Sequence, residues 1–181
     1  MPIINHRFLS HSIHPDTETL IVGTFNPETA ENEADFFYGR SRNFLWRLLP
    51  AAYGSEDLKG RAVADKINFI RTHKIDFIDL IARVEVEAGQ EANYDDIYLD
   101  SKKPAWNDVI AQLEQLQHIK RVCFTRKTLG GIPHMKVRVE EIQRYCNAHG
   151  IEFSLLKTPA RTYSVHKQAI WSNFFGKTST N

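Results

Sequence analysis

Asn26 stands directly before Pro27, just past the point where the apolar run Leu20-Ile21-Val22 breaks at Gly23. After an acidic loop comes Phe36-Phe37-Tyr38-Gly39-Arg40-Ser41-Arg42-Asn43, which leads into Phe44-Leu45-Trp46-Arg47-Leu48-Leu49. A carboxamide offers one acceptor and two donors and stays uncharged at any working pH. It can orient a water or read the edge of a base, but it is a poor general base. It therefore suits reactions whose leaving group departs largely unaided. N-glycosidic cleavage is one: the sugar becomes oxocarbenium-like, the base leaves with negative charge, and placing water and stabilising that charge supply most of the catalysis. Tyr38 and Phe37 can stack on a flat base, worth about 1–3 kcal/mol per base. Arg40 and Arg42 can grip phosphate. Each residue also has a plain structural role open to it. Asn26 can make a turn hydrogen bond before proline, the aromatic pair can pack in a core, Asn43 can cap a helix, and the arginines can be solvated. The combination marks a site candidate.

Periodicity predicts the elements that must position these residues. Thr19 to Gly23 reads as a buried strand. Asn43 to Tyr53 reads as a helix ended by Gly54. Ser55 is expected to cap a helix running to about His73. Ile75 to Ile81, Arg121 to Thr125 and Ile151 to Leu156 read as further strands, and Glu85 to Asp100 as a polar connection. Pro104 suits a first helical turn, with Trp106, Val109, Ile110, Leu113 and Leu116 on one face. A helix after Pro133 carries Met135, Val139, Ile142 and Cys146 on one side and closes at Gly150, and a last helix spans Val165 to Phe175. Four short strands alternating with helices predict a mostly parallel sheet with helices on both faces. Ligands of such sheets bind beyond the carboxyl ends of the strands. The following loops carry Asn26, Asp79/Arg83, Arg126/Lys127 and Lys157 to Tyr163.

With 181 residues, one domain over residues 1–176 with a frayed tail at 177–181 is the expectation, burying roughly 70% of the unfolded surface. No apolar run approaches the ~20 residues that span a bilayer, and the N-terminus lacks a secretory layout, so a cytoplasmic protein is expected; a monomer is the default, with nothing in the sequence that sets the oligomeric state. The two cysteines, Cys123 and Cys146, form neither a disulfide framework nor a metal ligand set, and both read as buried thiols. A net charge of +1 does not by itself announce a nucleic-acid binder. Basic residues instead gather locally, at Arg40/Arg42/Arg47, Arg126-Lys127 and Lys157/Arg161/His166/Lys167. Phosphate-loop, dinucleotide, nucleophile-elbow and zinc-protease motifs are all missing from the sequence.

In chain order these segments resemble the uracil-DNA glycosylase superfamily, particularly its mismatch-specific and hypoxanthine-DNA glycosylase branches. Gly23-Thr24-Phe25-Asn26-Pro27 is similar to the first motif. Tyr38 to Trp46 is similar to the aromatic, His/Arg-Pro-x-Asn, aromatic-Trp run and is the most specific piece. Ile75 to Ala82 with Asp79 is similar to the central strand, Val122 to Leu129 to the later strand and its polar loop, and Leu156 to Arg161 with Lys167 and Trp171 to the second motif and closing helix. The resemblance implies a three-layer α/β/α sandwich around a mostly parallel four-stranded sheet. It implies metal-free, cofactor-free hydrolysis of a damaged or mismatched base, uracil, hypoxanthine or a related one, from DNA. Asn26 or Asn43 would position the water or read the base. Phe25, Tyr38 and Thr158 would contact the flipped base. Arg40, Arg42, Lys157 and Arg161 would grip DNA, with Arg161 or Tyr163 as wedge candidates. Extruding the nucleotide costs a few kcal/mol. The iron–sulfur branches need four cysteines and are excluded.

Two other readings stand beside this one. Lys157-Thr158 replaces the usual opening of the second motif, which fits a nucleic-acid or nucleotide binding module that has lost catalysis. A small-molecule hydrolase of the same sheet type would use Asp79 with another carboxylate.

Overall fold

The computed structural model describes residues 1–176, and the tail expected to fray lies outside the described residues. In chain order the elements are β1 (Ile3–Asn5), β2 (Thr19–Gly23), α1 (Leu45–Ala52), α2 (Val63–Thr72), β3 (Ile75–Asp79), β4 (Ile81–Glu85), α3 (Asp96–Ser101), β5 (Ala105–Trp106), α4 (Val109–Gln115), β6 (Arg121–Phe124), α5 (Pro133–Ala148), β7 (Glu152–Leu155) and α6 (Val165–Phe175). The main sheet has the order β3-β2-β6-β7 and every pairing in it is parallel. Register brings Gly23 beside Asp79, Val22 beside Phe124, and Phe124 beside Leu155. The four carboxyl ends therefore finish nearly level, and the loops that leave them share one edge.

Successive strand residues face opposite sides, and both sides are covered. Leu20, Val22, Val122 and Phe124 join α4 and α5 through Val109, Leu113, Met135, Val139 and Ile142. Ile21, Ile75, Phe77 and Cys123 join α1, α2 and α6 through Leu45, Leu48, Leu49, Ile70, Trp171 and Phe175. A strand enclosed on both faces must be apolar throughout, which is why β2 reads as an unbroken run. This is the expected central parallel sheet flanked by helices. Both cysteines are free and buried, and burial pushes the Cys146 thiol up to about 11 and that of Cys123 further still.

Three expectations are corrected. Ser55 caps no helix: α2 begins at Val63, and the segment before it is a loop with Gly60 at φ 76°. Lys59 is held in that loop, with Nζ donating to the carbonyls of Ser41 at 2.7 Å and Asn43 at 2.9 Å. Pro104 opens no helix either. Ala105–Trp106 pairs antiparallel with β4, and α4 starts only at Val109, where the Asp108 carboxylate accepts from Ala111 N–H at 2.9 Å. The supposed polar connection carries the end of β4 and the short α3, whose first N–H groups are capped by Asp95. The second sheet, β1-β4-β5, was not expected at all. Its β1 brings the N-terminal residues beside the end of the main sheet.

Candidate active site

A cleft of about 790 Å³ lies over the carboxyl ends of the parallel strands. Thr24, Phe25 and Asn26 follow β2, Asp79 ends β3, Thr125 to Thr128 follow β6, and Lys157 to Arg161 follow β7. The aromatic loop before α1 supplies Tyr38, Arg40 and Asn43 to the same cleft. Residues around α3, Tyr94 to Ile97, close the opposite side.

The loops are held by specific bonds. Asn43 forms a β-bridge with Ala160, Phe44 N–H donates to Pro159 at 2.9 Å, and Arg161 N–H donates to Arg42 at 2.7 Å. The aromatic loop and the loop after β7 are thus zipped edge to edge. Lys59 braces the first from below. Lys167, 3% exposed, braces the second through Nζ bonds to the carbonyls of Ala160 (3.2 Å) and Thr162 (2.6 Å). Burial lowers the pKa of both ammonium groups, which donate to carbonyl oxygens, and Lys59 also lies over the Phe44 ring at 5.1 Å.

Both carboxamides have a fixed orientation. Asn32 Oδ1 accepts from Ala34 N–H, so its Nδ2 is the atom that donates to Pro27 O and to Asn26 Oδ1. The oxygen of Asn26 is therefore spent inside the protein and its NH₂ is left for the cleft. Asn43 repeats the arrangement: Oδ1 accepts from Leu45 N–H at 3.0 Å at the head of α1. Asn43 lies one residue before Phe44, the N-cap of α1, so it turns the chain into the helix without being its cap, and its NH₂ has no protein partner among the described residues. Two amide donors thus face a common space, matched to carbonyl oxygens, a developing anion or the oxygen of a water. Neither side chain can accept a proton.

Tyr38 sits at φ 58°, a left-handed conformation that costs a non-glycine residue about 1–2 kcal/mol. Gly39 behind it permits the turn, because a Cβ there would meet Phe36 O at 2.9 Å. The turn inserts the phenol between Phe77, at 5.6 Å between ring centroids, and Thr125, whose Oγ1 lies 3.1 Å from the hydroxyl. Burial, then the Asp79 carboxylate, raises its pKa well above the usual value, so the phenol stays protonated. Gly23 makes the close approach possible: a Cβ there would lie 2.2 Å from Asp79 Oδ1 and 2.5 Å from the Tyr38 hydroxyl.

The cleft therefore gathers Asn26, Asn43, Phe25, Tyr38, Thr158, Arg40, Lys157 and Arg161. Arg42 lies outside it with its side chain exposed, contributing a backbone acceptor. Tyr163 packs against Phe44, beneath the Arg47 guanidinium at 3.7 Å, and its hydroxyl donates to Gln168. Phe37 is core, stacked on Phe77 at 5.5 Å. Arg40 lies over the Tyr94 ring at 4.2 Å, and Arg126 is paired with Asp96 at 2.8 Å. Lys157, Arg161 and Lys127 add to the cationic lip, while Asp95 and Asp96 make one wall acidic. Sequence reasoning missed Thr125, the Tyr94–Ile97 wall and His6. The ring of His6 bonds to Asp79 at 2.7 Å from far along the chain, and no local pattern signals that.

The fold, a four-stranded parallel sheet flanked by helices, has a solved counterpart. The chain is similar to a solution structure from Methanosarcina acetivorans described as a "putative Uracil DNA glycosylase", with a TM-score of 0.61, 21% identity, and coverage of 91% of this chain and 92% of that one. No family model and no curated protein matches the chain. Among the described residues no helix is long and apolar enough to cross a membrane, and no group of three or more His, Cys, Asp or Glu side chains is placed to hold a metal ion.

Proposed function

We propose that the protein is a monofunctional DNA glycosylase that hydrolyses the N-glycosidic bond of a deaminated or mismatched base, such as uracil or hypoxanthine, after flipping it from DNA. The observation that carries this reading is the convergence of Asn26, Asn43 and Tyr38 on one cleft at the sheet's carboxyl edge, beneath Arg40, Lys157 and Arg161. The reaction needs little covalent chemistry from the enzyme. It needs donors where the base accumulates negative charge, a bound water, and a flat slot closed to bulk solvent. The free NH₂ groups of Asn26 and Asn43 are such donors. They favour bases carrying carbonyl oxygens, as deaminated bases do, and either group can also hold a water through its oxygen. Phe25 and Tyr38 line the slot. Thr158, whose Oγ1 accepts from Ala160 N–H at 3.2 Å, shapes the turn that carries Lys157 and Arg161 to the phosphates. DNA bearing the altered base is thus the partner, the protein acts as a monomer in the cytoplasm, and no cofactor takes part.

The test is alkaline cleavage of labelled oligonucleotides carrying a panel of lesions, in duplex and single-stranded form. Wild-type protein creates alkali-labile sites at one or more lesions, and folded Asn26→Ala and Asn43→Ala proteins lose at least about 100-fold in rate. Salt-dependent DNA binding with no base release from any lesion would instead show a binding module. Faster turnover of free nucleosides than of DNA would show a small-molecule hydrolase.

A further inference from the structure

We propose that Asp79, oriented by His6, is the base that takes the proton of the attacking water, an assignment that rests on the glycosylase reading above. The two carboxamides cannot do this, because their oxygens are held by Asn32 and by Leu45 N–H. Asp79 can. It ends β3 at the floor of the cleft, 6% exposed, and its backbone is fixed by the Asn107 side chain, which donates to its carbonyl at 2.8 Å. One carboxylate oxygen, Oδ2, is bound to His6 Nε2 at 2.7 Å. The other, Oδ1, has no protein partner among the described residues and stands beside the gap above Gly23.

The direction of the His6 bond follows from its other nitrogen. Phe8 N–H donates to His6 Nδ1 at 3.0 Å, so Nδ1 presents its lone pair and Nε2 carries the hydrogen that Asp79 accepts. The imidazole is wedged among Phe8, Phe25 and Phe37, with ring centroids 5.6 to 6.1 Å away, and cannot swing out. The result is a carboxylate aimed by a histidine. His6 directly follows β1 of the second sheet, and Asp79 ends β3 of the main sheet. His6 lies outside the cleft lining and does not touch substrate, so it is a positioning residue. Arg40, Tyr38, Tyr94, Arg7, Cys123 and, from α3, Asp96 are other ionisable groups coupled to this end of the cleft.

In the reaction, Asp79 Oδ1 accepts a proton from water while the water oxygen bonds to C1′ of the sugar. The C1′–N bond breaks and its electron pair leaves on the base nitrogen. The Asn NH₂ donors stabilise the departing base, and solvent then protonates it while Asp79 returns its proton to solvent.

The experiment measures single-turnover base release by wild type, Asp79→Asn, His6→Ala and His6→Gln on the best lesion of the panel. Affinity for DNA containing an abasic-site analogue and thermal melting are measured alongside. Asparagine at 79 keeps an acceptor for His6 and changes only the ability to take a proton. We expect Asp79→Asn to lose about 10²–10⁴-fold in rate with analogue affinity unchanged. His6→Ala should lose rate in the same way, and His6→Gln, which can still place a donor near Nε2, should recover at least about tenfold over His6→Ala. Should Asp79→Asn not fold, the His6 pair decides alone. Active wild type with an Asp79→Asn rate within about threefold of it would overturn the inference and leave the glycosylase reading standing. Equal rates for the two His6 variants would remove His6 from it. A wild type inactive on every lesion would overturn both.

Discussion

Gly23→Ala is the smallest change that separates a built cleft from an accidental one. The alanine Cβ would sit 2.2 Å from Asp79 Oδ1 and 2.5 Å from the Tyr38 hydroxyl. Carbon and oxygen normally rest at about 3.4 Å or more. The carboxylate must therefore retreat by more than about 1 Å, and the phenol by nearly as much. Neither has easy room: Asp79 is tied to His6, and Tyr38 is tied to Thr125 and packed on Phe77. Overpacking of this kind costs about 1–3 kcal/mol of stability, which leaves a protein of this size folded. Displacing reacting groups by about 1 Å costs on the order of 100-fold in rate. Gly23→Ala should thus melt a few degrees lower and release base about 100-fold more slowly, while still binding DNA through the outer lip. Single-turnover release on a lesion oligonucleotide, with melting measured in parallel, is the assay. A fully active Gly23→Ala protein would refute the reasoning, since Asp79 and Tyr38 would then not need their observed places.

Other consequences can be checked as simply. Asn32→Ala frees the Asn26 amide and removes three buried hydrogen bonds, so stability should fall by about 2–3 kcal/mol in denaturant melts. Base release should fall with it even at temperatures where the variant is folded. Lys167→Met removes the brace under Ala160 and Thr162, and DNA affinity measured by fluorescence anisotropy should weaken about fivefold or more. Lys157→Ala and Arg161→Ala should each reduce the slope of log affinity against log salt by about 1, uniformly across sequences. Burial pushes the Asp76 carboxyl up, but bonds from His11, the His14 N–H and the Phe77 N–H outweigh it and hold the folded value below the ordinary one. The stability Asp76 contributes is therefore complete above about pH 4 and is lost as pH falls through the lower folded value. Asp76→Asn should flatten this acid limb in melts taken from pH 5 downward.

The sequence makes the main sheet legible because its two central strands, β2 and β6, are enclosed on both faces. Enclosure demands a short apolar run, and Leu20-Ile21-Val22 and Val122-Cys123-Phe124 can hardly be read otherwise. Parallel topology places Asn26 with the loops after the other strands, whereas Tyr38 and Asn43 reach that edge through the turn at Gly39 and the bridge to Ala160. What cannot be read is set by contacts distant in sequence. The strand β1 has three residues, two of them exposed, and exists only because β4 offers it an edge. With it goes His6, an isolated histidine in a stretch without periodicity. Ser55 lies in a loop where Lys59 reaches across to the carbonyls of Ser41 and Asn43, a contact that local sequence does not signal. Pro104 fails because β4 recruits Ala105 and Trp106. The orientation of Asn26 depends on Asn32, which local sequence marks only as part of an acidic loop.

The central claim is that an everted base rests between Asn26, Asn43 and Tyr38 with its sugar carbon above Asp79. A crystal structure of the protein with a duplex carrying a non-cleavable 2′-fluoro deaminated nucleotide tests it directly. The account predicts the base out of the stack and in this cleft, base oxygens within about 3.2 Å of an Asn26 or Asn43 amide nitrogen, and a water within about 3.2 Å of Asp79 Oδ1. A base still stacked in the duplex, or one bound elsewhere on the protein with the cleft holding none of it, would contradict the account.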